Sequence, residues 1–166
     1  GRIFAIQHFG VRPDLLTCAK SLAGGVPIGA VLIGKKVQNL TPGVHGSTFG
    51  GNPLSCAAGV AALTVMEEED LPGQAEAKGK YLMEKLKKIE SPNIREVRGL
   101  GLMIGIEMKQ KVAPYIKALQ EKKIIVLNAG MTVIRLLPPL VITYEQIDHL
   151  VNVLAEVLSS TDDLNG

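Results

Sequence analysis

Hydrophobic and polar positions change their period several times along the chain. Leu15-Leu16-Thr17-Cys18-Ala19 is a short apolar run that follows Pro13-Asp14 and stops at Lys20. Ile28-Gly29-Ala30-Val31-Leu32-Ile33 is a second run, entered from Gly24-Gly25. Short apolar runs bounded by glycine and proline predict buried strands. Residues 41–51 hold Gly43, Gly46, Gly50 and Gly51 with little charge, which predicts a loop. Asn52-Pro53 then supplies a helix cap and a first helical residue. The helix it opens carries Cys56, Ala57, Ala58, Ala61 and Ala62, small residues that imply close packing against another element.

The pattern shifts at Glu67-Glu68-Glu69-Asp70. From Ala75 to Ile89, charges alternate with Tyr81, Leu82, Leu86 and Ile89, the signature of an amphipathic helix. Ile94 to Met108 reads as strand, a bend at Gly99-Leu100-Gly101, and strand again. Val112 to Lys122 reads as helix. Ile124–Leu127 and Val133–Leu137 read as short strands, closed by Pro138-Pro139. Thr143 caps a last helix, with Gln146 at the reciprocal capping-box position. Its apolar stripe is Ile147, Leu150, Val151, Leu154 and Leu158. No internal repeat is visible. The expected organisation is an α/β part over 1–70, an α+β part over 71–159 and a frayed tail over 160–166. The first part has few strands for a stable open sheet, so it is expected to lack partners.

Composition narrows the classes of function. Of 166 residues, 46% are hydrophobic and 20% charged, which is ordinary for a globular protein and too apolar for a disordered one. Eighteen Lys and Arg against sixteen Asp and Glu leave a net charge of +2. The basic pairs are scattered, so no clustered face for nucleic acid is expected. Two cysteines, Cys18 and Cys56, cannot build a disulfide framework and are expected as buried free thiols. His8, His45 and His149 share no metal-ligand spacing, so no metal site is expected. No apolar run reaches the roughly 20 residues of a membrane helix, and a reducing cytoplasm is the expected setting. Gly1-Arg2-Ile3-Phe4 has no initiator Met and no cap, so the chain reads as entered in its middle.

Two glycine motifs fail on inspection. Gly29-Ala30-Val31-Leu32-Ile33-Gly34-Lys35-Lys36 approaches a phosphate loop but ends in Lys where a hydroxyl is needed. Its middle residues form β structure, so a strand and a turn are expected, with nucleotide binding the weak alternative. Gly99-Leu100-Gly101-Leu102-Met103-Ile104 lacks the last glycine of a dinucleotide fingerprint and opens no helix.

Three other positions carry usable chemistry. Lys20 ends an apolar run, and a desolvated amine there would lose charge and become a nucleophile toward a carbonyl; a lysine that snorkels to solvent is the plain alternative. The loop His45-Gly46-Ser47-Thr48-Phe49-Gly50-Gly51 offers hydroxyl and N–H donors suited to a phosphate, or else is simply a tight turn. Arg135 sits among apolar strand residues, where a buried guanidinium needs a planar anion such as a carboxylate; an outward-facing arginine on an edge strand is the alternative.

Taken together, these segments resemble the class-III pyridoxal-phosphate aminotransferases. The resemblance is carried by Ala19-Lys20 with Gly24-Gly25-Val26-Pro27-Ile28-Gly29-Ala30, then Gly46-Ser47-Thr48-Phe49-Gly50-Gly51-Asn52-Pro53-Leu54. Arg98-Gly99-Leu100-Gly101-Leu102-Met103 and Val133-Ile134-Arg135-Leu136-Leu137-Pro138-Pro139-Leu140 extend it over nearly the whole chain. It implies a fold-type-I enzyme: the end of the large cofactor domain, then a small α+β domain that closes over substrate. It implies that Lys20 holds pyridoxal phosphate covalently and then carries the proton. It implies that Thr48, with Ser47 beside it, binds the cofactor phosphate of the neighbouring subunit in a homodimer. Arg135 then grips the substrate's α-carboxylate.

Within the family the likeness is to acetylornithine aminotransferases, and more to the enzymes acting on lysine or ornithine carried by the LysW protein. The runs Ile94-Arg95-Glu96-Val97-Arg98-Gly99 and Ala113-Pro114-Tyr115-Ile116 are similar to that branch. Ornithine and 4-aminobutyrate aminotransferases share the core motifs. The expected reaction moves a terminal amino group to 2-oxoglutarate, with an amino-group carrier protein as a further partner. The family's aspartate for the cofactor ring nitrogen would precede Gly1, so the chain resembles the second half of such an enzyme. A non-catalytic fragment that folds only against its missing half is the rival expectation.

Overall fold

The computed structural model describes residues 1–159; the expected tail at 160–166 lies outside them. The chain divides into two compact units, Arg2–Leu71 and, with Gly1, Pro72 onward.

In the first unit, β1 (Leu15–Cys18) and β2 (Ala30–Ile33) pair antiparallel, with Leu15 opposite Ile33 and Cys18 opposite Ala30. The Gly34 N–H donates to the Asp14 carbonyl at 2.7 Å and extends the ladder by one bond. The second strand begins two residues later than its apolar run, and Pro27, just before that run, accepts from the Ser55 hydroxyl at 3.0 Å. Burial is also less than the runs imply: Leu15 is 55% and Val31 56% exposed. The thiols follow suit, with Cys18 half-buried and Cys56 exposed, so the expectation of two buried thiols fails. The phosphate-loop near-match is a strand and a turn, and Lys36 in that turn pairs with exposed Asp14 at 3.3 Å.

Helix α1 (Pro53–Glu68) starts where the dipeptide Asn52-Pro53 predicts. The Asn52 Oδ1 accepts from the Ser55 N–H at 2.9 Å, and Pro53 needs no donor partner at the first position. Gly59 packs against Ala23 and Ile28, with room for an added Cβ at ordinary contact distance. The small residues of α1 thus do bring it close to a neighbour, the short 3-10 helix Lys20–Ala23.

The second unit is one antiparallel sheet with helices against one face. Strands β3 (Ile94–Leu100), β4 (Met103–Met108), β5 (Leu127–Ala129) and β6 (Val133–Leu136) lie in the order β3-β4-β6-β5. Helices α2 (Leu71–Leu86), α3 (Ala113–Glu121) and α4 (Tyr144–Ser159) supply Leu82, Leu86, Tyr115, Leu119, Ile147, Leu154 and Leu158 to the core. The sheet supplies Ile104, Ile106, Met108, Ile134 and Leu136. These are alternate residues, as a strand with one buried face requires.

Local chemistry explains the boundaries. The bend at Gly99-Leu100-Gly101 is a tight hairpin, with Gly101 at φ +56°. Thr143 and Gln146 close the expected capping box: the Thr143 N–H donates to Gln146 Oε1 at 2.9 Å, and the Gln146 N–H to Thr143 Oγ1 at 3.2 Å. The strand expected over 124–127 is displaced to Leu127–Ala129. Ile124 instead finishes α3, donating its N–H to Leu119 across Lys123 at φ +65°, a left-handed helix stop. Between α2 and α4, the Tyr81 hydroxyl donates to Asp148 at 2.8 Å and Lys85 pairs with the same carboxylate at 2.8 Å.

Gly79 in α2 fixes how near that helix lies to the hairpin, since a Cβ there would stand 2.3 Å from the Gly101 carbonyl oxygen. Alanine is the better helix former by about 1 kcal/mol, but overpacking against backbone costs about 1–3 kcal/mol. Gly79→Ala is therefore expected to lower stability in chemical denaturation, against the helix-propensity trend. A gain in stability would contradict the close approach.

Candidate active-site residues

Lys20 begins the 3-10 helix directly after β1, with its own backbone at φ +59°. A non-glycine residue in this region costs on the order of 1 kcal/mol, and such strain gathers at functional positions. The turn aims the residue out of the strand, and Lys20 is exposed. The expected desolvation of its amine is therefore not what the described residues produce. Its ammonium enters no ion pair among them.

Ser47 and Thr48 lie together on the loop before α1, both exposed. Gly50 donates its N–H to the Ser47 carbonyl at 3.3 Å, and Asn52 donates to Phe49 at 3.3 Å, so the loop turns tightly into the helix. Gly51 takes φ +70° there. Among the described residues neither hydroxyl is engaged in a hydrogen bond. Ser47, Gly50, Gly51, Gly29 and Ser55 line a concavity of about 380 Å³; Thr48 does not line it. Hydroxyls, a glycine turn and the N-terminal end of a helix are the donor set that a phosphate takes.

Arg135 is on β6 in the second unit, between Ile134 and Leu136, which are buried in the core. Alternation sends it to the opposite face of the sheet. It is half-buried, on the central part of the sheet and not on an edge strand. Its Nε is buried with no hydrogen-bond partner among the described residues. A buried guanidinium nitrogen without an acceptor costs free energy until an anion supplies one.

Sequence reasoning passes over the charges around it. Gly105 on β4 lies directly opposite Arg135, and Glu107 is opposite Val133. Glu107 accepts from Arg98 and, at 3.1 Å, from Arg95. Arg98, first, and then Arg95 hold the Glu107 carboxyl below the usual carboxylate range. Only the register reveals these neighbours. Lys78 is likewise unsignalled: 8% exposed, it donates to Gln74 Oε1 at 2.9 Å and to the Leu140 carbonyl at 3.3 Å, tying α2 to the segment after Arg135.

With this geometry in hand, the comparisons are specific. The family model described as "Aminotransferase class-III" matches residues 1–158. The chain belongs to the class-III aminotransferase family, whose members use pyridoxal phosphate. It is 52% identical, over 98% of its length and 38% of the relative's, to a [LysW]-aminoadipate semialdehyde transaminase of Deinococcus radiodurans. It is 49% identical, over 96% of its length and 41% of the relative's, to an acetylornithine aminotransferase of Methanocaldococcus jannaschii. Among solved structures, ornithine aminotransferase of Toxoplasma gondii superposes with a TM-score of 0.89 at 38% identity, over 95% of this chain and 39% of that one. Acetylornithine aminotransferase of Elizabethkingia anophelis gives 0.87 at 36% identity, over 95% and 43%. The chain thus spans about two-fifths of the length of the relatives it matches. The expected fold class stands, in the form of mixed α/β structure with antiparallel sheets. No helix among the described residues is long and apolar enough to cross a membrane.

The Glu107 cluster sets a pH dependence. Its folded pKa is lowered, so its contribution to stability is present above the unfolded value of about 4.3 and fades as pH falls through the folded value. Wild type is expected to have a higher urea midpoint than Glu107→Gln at neutral pH, with the gap narrowing below about pH 4. A gap independent of pH would contradict the ion pairing.

Proposed function

We propose that this chain is the later part of an aminotransferase that moves the terminal amino group of acetylornithine, or of LysW-bound lysine or ornithine, to 2-oxoglutarate. Arg135 carries the reading: a class-III aminotransferase chain holds an arginine on a sheet face with a buried Nε that has no acceptor among the described residues. A substrate carboxylate supplies two acceptor oxygens in the plane that a guanidinium prefers.

Pyridoxal phosphate fits the other residues. The Ser47 and Thr48 hydroxyls are unengaged among the described residues and suit its phosphate. The Lys20 amine is exposed and unpaired there, and suits its carbonyl carbon. When bound, the cofactor draws electrons from the carbon that bears the transferred amino group. Lys20 Nζ would hold the cofactor through its carbonyl carbon and would carry the proton to and from the substrate carbon. Thr48, with Ser47 beside it, would bind the cofactor phosphate of the neighbouring subunit in a homodimer. Arg135 fixes the carboxylate and so orients the reacting carbon.

Likeness to the LysW-linked relative supports a carrier protein as partner; a cytoplasmic setting is part of the same proposal. A second reading has free ornithine or 4-aminobutyrate as donor; an ornithine aminotransferase of Staphylococcus aureus is 50% identical over 89% of this chain and supports the ornithine form.

The test uses the intact enzyme. Borohydride should fix the cofactor to the peptide containing Lys20, and Lys20→Ala should abolish that adduct and lower kcat by about a thousandfold. Arg135→Gln should raise KM for the amino acid by about thirtyfold or more. An adduct on another peptide, or a KM unmoved by Arg135→Gln, would overturn the respective assignment.

A further inference from the structure

Charge distinguishes two of the grooves in the second unit. The larger, of about 660 Å³, sets Glu145 beside Lys123 and His149, so its rim carries both signs. The smaller, of about 410 Å³, lies between α3 and the turn that joins β5 to β6. Lys111 and Lys117 are the only titratable groups among its lining residues, and no carboxylate lines it.

The sequence builds this groove from two local devices. Ala113, Ile116, Lys117 and Gln120 follow the i, i+3, i+4, i+7 spacing of one helix face. That spacing turns Tyr115 and Leu119 inward, where both are fully buried. Lys117 and Gln120 are exposed and Ile116 is half-buried, so the face is apolar at its floor and polar at its rim. On the other side, Gly130 at φ +69° reverses the chain, and Asn128 Nδ2 donates to its carbonyl at 2.9 Å. The Val112 N–H donates to the Met131 carbonyl at 3.0 Å and pins that turn to the start of α3. The groove is therefore preformed, and Met131 in its wall is 65% exposed.

Lys111 and Lys117 enter no ion pair among the described residues. Other lysines of this unit do find carboxylates: Lys80 with Glu76, Lys85 with Asp148 and Lys122 with Glu156. An exposed methionine over an aliphatic floor suits apolar side chains, and two unpaired ammonium groups suit carboxylates. With Lys111, Lys117, Gln120 and Met131 all exposed, the groove is too open to enclose a small metabolite, which its site would bury by roughly 70–90%. Two charges are too few for a nucleic-acid backbone, whose binders neutralise many phosphates.

We propose that this groove docks a short segment of a partner protein, with acidic residues facing Lys111 and Lys117 and aliphatic residues seated on Ile116 and Met131. Helix α3 packs on the face of the sheet opposite Arg135, so docking here leaves the proposed carboxylate clamp untouched.

The experiment measures fluorescence anisotropy of labelled, capped peptides with the intact enzyme. The peptides have about twelve residues, roughly three helical turns. One is built of Glu, Leu and Ala with the leucines at helical spacing. A second has Lys for every Glu, and a third has Ser for every Leu. The acidic leucine peptide should bind at least about tenfold tighter than either control. Lys111→Glu/Lys117→Glu should weaken it about tenfold or more, and Met131→Ser about fivefold. The thermal midpoint and kcat of the double variant should match wild type, since both lysines are exposed and neither belongs to the proposed catalytic residues. Lys111→Gln/Lys117→Gln, which only removes charge, should weaken binding about threefold and carries the test if charge reversal disturbs folding. Equal binding of the Glu and Lys peptides, or affinity unmoved by the lysine variants, would overturn the proposal. So would no binding of the acidic leucine peptide up to about 1 mM. A single-stranded oligonucleotide that displaces the peptide at equal concentration would overturn it too, by making the groove a general polyanion site.

Discussion

Alternation along β6 is the constraint on which the second unit depends. Ile134 and Leu136 are fully buried against the helices, so the residue between them has one place to go. A slip of one residue would put the guanidinium in the core and two large aliphatic groups in the open. Burying each of those side chains is worth roughly 1.5–3 kcal/mol, so the register that seats the core also seats Arg135. The placement of Arg135 follows from packing on the other side of the sheet. The same logic places Gly105 opposite Arg135 and Glu107 one row on.

The first unit solves a different problem. Lys20 leaves the ladder of β1 through a left-handed backbone and lies exposed. The loop before α1 keeps the Ser47 and Thr48 hydroxyls clear while Asn52 caps the helix behind them. Both features are local: a strained residue and a capped helix start. The open flanks of β1 and β2 fit a chain that spans two-fifths of its relatives' length.

Much of this was legible because it is written in short-range chemistry. Asn52-Pro53 and the Thr143–Gln146 pair mark helix starts by the hydrogen bonds they make with their own backbone. The hairpin at Gly101 and the apolar stripes of α2 and α4 are legible for the same reason. Strand limits were less so. Ile124 looks like strand by composition yet closes α3, since Lys123 adopts a left-handed turn that no local motif announces. In the first unit the apolar runs report what a strand is suited to bury and not what covers it, and Leu15 and Val31 stay exposed. Lys20, Ser47, Thr48 and Arg135 were legible as candidates from residue type and local context. Glu107, Arg95 and Arg98 were not, because their grouping depends on a β-bulge and on which strand lies between which.

In the proposed reading, Arg135 Nε takes a carboxylate from outside the described residues. A crystal structure of the intact enzyme with a carboxylate-bearing substrate analogue tests it most directly. The two carboxylate oxygens should accept from Arg135 Nε and Nη while Glu107 stays with Arg95 and Arg98. An analogue carboxylate bound elsewhere, with Arg135 paired to Glu107, would contradict it.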